Sequence, residues 1–373
     1  MKTNSISDYL TGHTRFDQQK QFLTLLLLCA WPGASITRAQ SPAGPQIKPP
    51  SSVEHKAVYA GENTSVSVVA TGTAPLSFQW RLDGRDLTGQ TNTTLSITNA
   101  RAADEGDYTV LVTNAFGQAA NRPAHLFVVP EDELLVRNYT NELGRRLPYL
   151  CIVPQNYDPS LRYSLFVGMA GAGVNENNYR NFFGSGGLLG ADGDVLTSYR
   201  ERDRRPTIML SPLRRSSEQN WNPVDLPLVV GMINQLVAQY SIATNQIHLW
   251  GFSDGGGASV TLLETYPNLF ASGLFVSGTG LTTKPSLFEH VPLWVVHAAD
   301  DSTVNVSSAR NLVSALRQAG GTPIYSEFAS GGHLIARVTL LTPLLMDWLL
   351  EQRLGTAPTG PMLSINSPTQ GGL

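Results

Sequence analysis

The spacing of apolar residues changes near Pro130, and that change divides the chain into two kinds of fold. Before it, apolar residues recur at every second position: Val66, Val68 and Ala70 share a face, as do Leu76, Phe78 and Trp80, then Leu95 and Ile97, then Tyr108, Val110 and Val112. Runs of that period with turn residues between them predict a β-sandwich over residues 53–129. After Pro130, solid apolar runs at 147–153, 163–167, 207–210, 247–252, 274–276 and 292–297 alternate with stretches of helical spacing at 226–240, 256–264, 307–318 and 336–351. Continuous apolar runs suit strands that are buried on both faces. The alternation predicts a three-layer α/β domain with a mostly parallel sheet over residues 131–353.

Composition agrees with two such units. A chain of 373 residues with 42% hydrophobic content buries at least one sizeable core. Lys+Arg 26 against Asp+Glu 29 leaves a formal charge of -3, which supplies no electrostatic footprint for a nucleic-acid backbone, so nucleic acid is not an expected partner. Charged residues are only 15%, with Gly 34 and Pro 23, a balance that fits a loop-rich protein with many strands.

The N-terminus reads as an export signal. Residues 22–31 are apolar except for Thr24, with Arg15 and Lys20 before them and Ser35-Ile-Thr-Arg-Ala39 after them. A signal peptide over 1–39, cut after Ala39, is therefore expected, and with it a secreted or cell-envelope location. A membrane span needs about 20 apolar residues, so no span is expected after cleavage. Residues 40–52 read as a linker and residues 354–373, rich in Pro, Gly and Ser, as a tail or linker, with Met362-Leu-Ser-Ile suggesting entry into another β-module. Of the two cysteines, Cys29 lies in the signal, which leaves Cys151 without a disulfide partner.

Gly251-Phe-Ser253-Asp-Gly255 stands between the apolar run ending at Gly251 and the helix expected from Gly256. Strand, sharp turn and helix is the setting of a nucleophile elbow, in which small neighbours let the turn lift a serine hydroxyl clear of the sheet. Such a hydroxyl needs a general base and a third group to orient that base. His333 follows Gly331-Gly332 after a strand-like run and is the candidate base; His297 ends a strand-like run and reads as a structural imidazole. The acid is expected at Asp300 or Asp301, which follow the run at 292–297. The histidines are scattered, no Cys/His spacing fits a zinc site, and no glycine loop fits a nucleotide, so neither metal nor cofactor is expected.

Gly61-Glu-Asn-Thr-Ser-Val-Ser-Val68, Trp80 and Asp104-Glu-Gly-Asp-Tyr108-Thr-Val110 together resemble an I-set immunoglobulin domain, with Trp80 on the third strand and Tyr108 as the tyrosine corner. Val68 and Val110 stand where that resemblance implies an inter-sheet disulfide. Two buried valines contribute roughly 1.5 to 3 kcal/mol each, comparable with the cost of losing a disulfide, so the sandwich is still expected.

Residues 131–353 resemble an α/β-hydrolase of the secreted esterase and polyhydroxybutyrate-depolymerase-like branch, which shades into the prolyl-oligopeptidase-like hydrolases. The matching pieces are Tyr149-Leu-Cys-Ile-Val-Pro154, Met169-Ala-Gly-Ala-Gly173, the elbow around Ser253, His297-Ala-Ala-Asp-Asp301-Ser-Thr-Val304, Gly331-Gly-His333 and Asp347-Trp-Leu-Leu350. The resemblance implies Asp301 as the acid, three residues before Val304. It also implies an oxyanion hole made by the backbone N–H groups of Asp254 and Ala172. Ala170 departs from the pattern, because a histidine that braces the oxyanion loop is usual there. The loop over 174–206 is expected to cap the pocket. Trp221 is read either as a wall for the acyl group or as a packed surface aromatic. The implied activity is cleavage of carboxylic esters through an acyl-enzyme, on a substrate that includes polymeric or cell-surface esters, with the sandwich acting as a tether. A serine peptidase with the same triad, and an adhesive protein with an inactive hydrolase domain, are the alternatives.

Overall fold

The computed structural model describes residues 41–48, 56–121, 123–130, 135–179, 198–335 and 343–360. The expected signal peptide, residues 40 and 49–52 of the expected linker, residues 180–197 of the expected cap, the start of the last expected helix and the sequence from Met362 lie outside the described residues; residues 46–47, read as linker, instead form a strand that pairs with Ala70–Thr71.

The N-terminal strands are β1 (Gln46–Ile47), β2 (Lys56–Tyr59), β3 (Thr64–Ser67), β4 (Ala70–Thr71), β5 (Ser77–Leu82), β6 (Arg85–Asp86), β7 (Thr94–Ile97), β8 (Gly106–Asn114), β9 (Gly117–Ala120) and β10 (Ala124–Val129). They form a sheet ordered β2-β10-β8-β5-β6, with β9 on β8, facing the antiparallel pair β3-β7. The period-two residues of the sequence meet in one core, where Trp80 and Val110 are fully enclosed and Val68 and Tyr108 nearly so. Tyr108 closes its corner by donating to the Asp104 carbonyl at 2.7 Å, and the Trp80 indole donates to Asn92 at 2.8 Å. Both aromatic polar atoms are satisfied, as burial demands.

The second group of strands is β11 (Arg137–Thr140), β12 (Arg146–Ile152), β13 (Tyr163–Met169), β14 (Thr207–Pro212), β15 (Ile242–Phe252), β16 (Ser272–Val276), β17 (Leu293–Ala298) and β18 (Ile324–Phe328). They form one eight-stranded sheet ordered β11-β12-β14-β13-β15-β16-β17-β18, parallel from β14 to β18. The helices are α1 (Tyr199–Arg204), α2 (Leu226–Gln239), α3 (Asp254–Thr265), α4 (Ser307–Gln318) and α5 (Pro343–Glu351). Alternate residues of each strand enter different cores. Leu165, Val167, Leu249 and Phe275 pack with α2, α3 and α4, while Phe166, Trp250, Leu274 and Val276 pack with α5. The result is three layers.

Chain order and sheet order reverse around β13, which has β14 on one side and β15 on the other. In parallel α/β sheets, ligands bind beyond the strand C-termini at such a switch point. Ser253 follows β15, the loop from Ala170 follows β13, Asp301 follows β17 and His333 follows β18, so all four segments emerge at that edge.

The sandwich is docked on the α/β part. Tyr59 and Val129 belong to the same apolar cluster as Leu150, Phe166 and Trp348. Glu105, with no exposure, accepts from the backbone N–H of Arg200 in α1 at 3.3 Å, and the Arg200 guanidinium reaches Asp83 at 2.6 Å.

Candidate active site

Ser253 has φ 54° and ψ −121°, a conformation that a non-glycine residue holds only when its surroundings impose it. Here they do. The Ser253 carbonyl accepts from Gly256 at 3.0 Å and Thr279 at 3.1 Å, and its N–H donates to Val276 at 3.1 Å. Glycine flanks the turn because there is no room for more: a Cβ on Gly251 would stand 2.5 Å from the Ser259 hydroxyl, and one on Gly255 would collide with the carbonyl of Met169. The close approach lets α3 start against the end of β13.

His333 faces Ser253 with one ring nitrogen and Asp301 with the other. Its Nε2 lies 3.0 Å from Ser253 Oγ, and its Nδ1 lies 2.8 Å from Asp301 Oδ2. The second carboxylate oxygen of Asp301 accepts from the N–H groups of Thr303 at 2.8 Å and Val304 at 2.9 Å. Burial alone would raise the Asp301 carboxyl, but the His333 contact and these two N–H groups outweigh it and hold it below the usual carboxylate range. Asp300 points elsewhere: its carboxylate accepts from Gly332 at 2.8 Å and Gly331 at 3.3 Å, and so fastens the loop that carries His333. His297 is buried with Nε2 3.2 Å from Asp301 and 2.9 Å from the carbonyl of Val304.

The loop after β13 lies against the serine, since a Cβ on Gly171 would be 3.2 Å from the Cβ of Ser253. Ala172 is exposed at its tip, and among the described residues no acceptor takes its N–H or that of Asp254, the first residue of α3. Trp221 packs beside the loop after β13. It is buried, and its indole donates to the Ala170 carbonyl at 2.9 Å. Across its ring, 5.1 Å from the centroid, lies the guanidinium of Arg214. Arg214 is 1% exposed and spends its donors on the carbonyls of Gly171 and Val174 and on the carboxylate of Asp254. Burial lowers Arg214 to about 10, with Asp254 opposing the shift, so it remains a cation at neutral pH.

The structure thus brings Ser253, His333 and Asp301 into one hydrogen-bonded line and sets Ala172, Asp254 and Trp221 beside it. Sequence reasoning passed over Arg214, the fastening by Asp300 and the contact of His297 with Asp301. The one available signal for Arg214 was an arginine two residues after a buried strand in a chain with few charges. Among the described residues, no group of three or more His, Cys, Asp or Glu side chains is arranged to hold a metal ion.

A family model described as "Immunoglobulin domain" matches residues 45–114. Those residues are an immunoglobulin-like domain. Among solved structures, the chain is similar to a thermostable esterase at 22% identity and a TM-score of 0.56, covering 83% of this chain and 90% of that one. It is also similar to a ferulic acid esterase from Anaeromyces mucronatus in complex with ferulic acid, at 14% identity, TM-score 0.45, 61% of this chain and 96% of that one. A thermophilic esterase from Thermogutta terrifontis with butyrate bound gives 18% identity, TM-score 0.44, 62% of this chain and 98% of that one. The likeness to the thermostable esterase is one of fold. It covers more residues than the α/β part holds, so it extends into the immunoglobulin-like domain. The part after that domain has the α/β-hydrolase fold.

Proposed function

We propose that the chain is a secreted serine hydrolase that cleaves carboxylic esters through an acyl-enzyme. The observation that carries this reading is the unbroken line from Ser253 Oγ through the His333 imidazole to the Asp301 carboxylate, at 3.0 Å and 2.8 Å. In this reading Ser253 Oγ attacks the ester carbonyl carbon while its proton passes to His333 Nε2. Asp301 holds Nδ1–H and stabilises the imidazolium that forms. The carbonyl oxygen gains a full negative charge, which the N–H groups of Ala172 and Asp254 bind. Collapse expels the alcohol, which takes the proton from His333, and leaves an acyl group on Ser253. Water, deprotonated by His333, then attacks that acyl carbon and releases the acid.

The fold shared with a thermostable esterase supports the ester class. Among the described residues no helix is long and apolar enough to cross a membrane, and the export signal read over residues 1–39 supports action outside the cell. The immunoglobulin-like domain fits a polymeric or surface-bound substrate, because a tether raises the local concentration of the enzyme at an insoluble phase.

A fluorophosphonate probe tests the nucleophile. The wild-type chain labels and hydrolyses a p-nitrophenyl ester. Ser253→Ala loses labelling and several orders of magnitude of turnover, as removal of a triad member does. Retained turnover in that variant overturns the mechanism.

A further inference from the structure

The loop from Ala170 to Gly173 has no polar side chain with which to hold itself, yet the donor at Ala172 must sit within about half an ångström of its working position. Its carbonyls are bound from outside. Trp221 donates to Ala170, Asn178 to Gly173 at 2.8 Å, and Arg214 to Gly171 and Val174. The Gly171 carbonyl and the Ala172 N–H belong to one planar peptide group. A donor placed on that carbonyl therefore fixes the direction of the N–H, and a charged donor also polarises the amide and strengthens the N–H as a donor. The same guanidinium reaches the carboxylate of Asp254 at 3.1 Å, and that carboxylate also accepts the Trp221 backbone N–H at 2.7 Å. The N–H of Asp254 is the second oxyanion donor in the reading above.

We propose that Arg214 is the positioning residue of the oxyanion hole, orienting and polarising the Gly171–Ala172 peptide through its carbonyl and fixing Asp254 through its carboxylate. It touches no substrate. Its fork suits the task, because three donors in one plane address two carbonyls and a carboxylate, which a lysine ammonium does not match. Stacking on Trp221 and full enclosure keep that fork in a single orientation.

The inference rests on the serine-hydrolase reading, and the test separates the two. Arg214→Met, Arg214→Lys and Ser253→Ala are compared with wild type by kcat and KM on a soluble short-chain ester, by affinity for an alkylboronic acid whose adduct on Ser253 mimics the tetrahedral intermediate, and by thermal melting. Arg214→Met is expected to lose about a hundredfold in kcat, the scale of one lost oxyanion donor, with KM within about threefold. Boronate affinity should fall by a similar factor. Arg214→Lys should lie between the two and melt within a few degrees of wild type, so it carries the test if the methionine variant does not fold. A purely structural role would lower the melting temperature without pairing the kcat loss to the boronate loss. A folded Arg214→Met, or a folded Arg214→Lys where the first is insoluble, with wild-type kcat and boronate affinity overturns this inference while Ser253→Ala remains inactive. Turnover in Ser253→Ala overturns the reading beneath it.

Discussion

His297 and His333 share a single oxygen of Asp301: Oδ2 lies 3.2 Å from His297 Nε2 and 2.8 Å from His333 Nδ1. The His297 nitrogen also meets the Val304 carbonyl at 2.9 Å, so both of its neighbours are acceptors and the ring hydrogen belongs on Nε2. Its Nδ1 has no partner among the described residues. The imidazole therefore holds the same carboxylate oxygen that His333 uses.

His297→Ala removes one of the two imidazoles on Oδ2, so that the Asp301 carboxylate settles on His333 and the N–H groups of Thr303 and Val304 alone. Turnover of a soluble ester is expected to fall about tenfold or more, since small misplacements at a reacting centre are costly, with KM changed less than about threefold. Steady-state kinetics check this, and an unchanged kcat would make His297 a packing residue.

The two adjacent aspartates should separate cleanly. Asp301→Asn loses the charge facing His333 and should lose about a hundredfold or more in kcat. Asp300→Asn keeps an oxygen for the Gly332 N–H and should stay within about threefold, whereas Asp300→Ala frees the His333 loop and should lose about tenfold. The reverse ranking of the two asparagine variants would exchange their assigned roles.

Gly255→Ala places a methyl group against the backbone of Met169 and Ala170, neither of which is a flexible chain end. The expected outcome is loss of turnover with a destabilisation of about 3 kcal/mol or more, or failure to fold, read by urea unfolding. A variant of wild-type stability and activity would show that α3 has more freedom than the structure allows.

His125 sits where the immunoglobulin-like domain meets α1, with Nδ1 2.8 Å from Asp107 and Nε2 4.0 Å from Glu105. Burial opposes its charged form, but the carboxylates of Glu105 and Asp107 outweigh it and hold the imidazole above its usual range; Arg200 and Asp83 complete the charged cluster. A raised folded-state value means the stabilisation is complete below the unfolded value and fades as pH rises through the folded one. The melting-temperature gap between wild type and His125→Gln should therefore be a few degrees near about pH 6 and close by about pH 9. A gap that widens with pH would contradict this sign.

Most of the architecture was legible because it follows from period and turn chemistry. The expected helix at 307–318 matches α4 (Ser307–Gln318), and the strand expected at 163–167 extends only to Met169. β11 was invisible since Arg137–Thr140 is a short edge strand with a single apolar side chain, Tyr139, and α1 lay within a stretch read as loop. At the site, Ser253 and His333 announced themselves through glycine-flanked turns. Arg214 did not, because its importance lies in which carbonyls surround it, and those come from segments about forty residues away in sequence. The docking of the sandwich was hidden for a similar reason: Tyr59 and Val129 satisfy the alternation of their own strands while packing against the neighbouring core.

The immunoglobulin-like domain contains no cysteine, and Val68 and Val110 meet inside it as ordinary core residues. Its cohesion is consequently indifferent to thiol reductants. A reducing medium removes no cross-link from it, where an antibody-type domain would lose one.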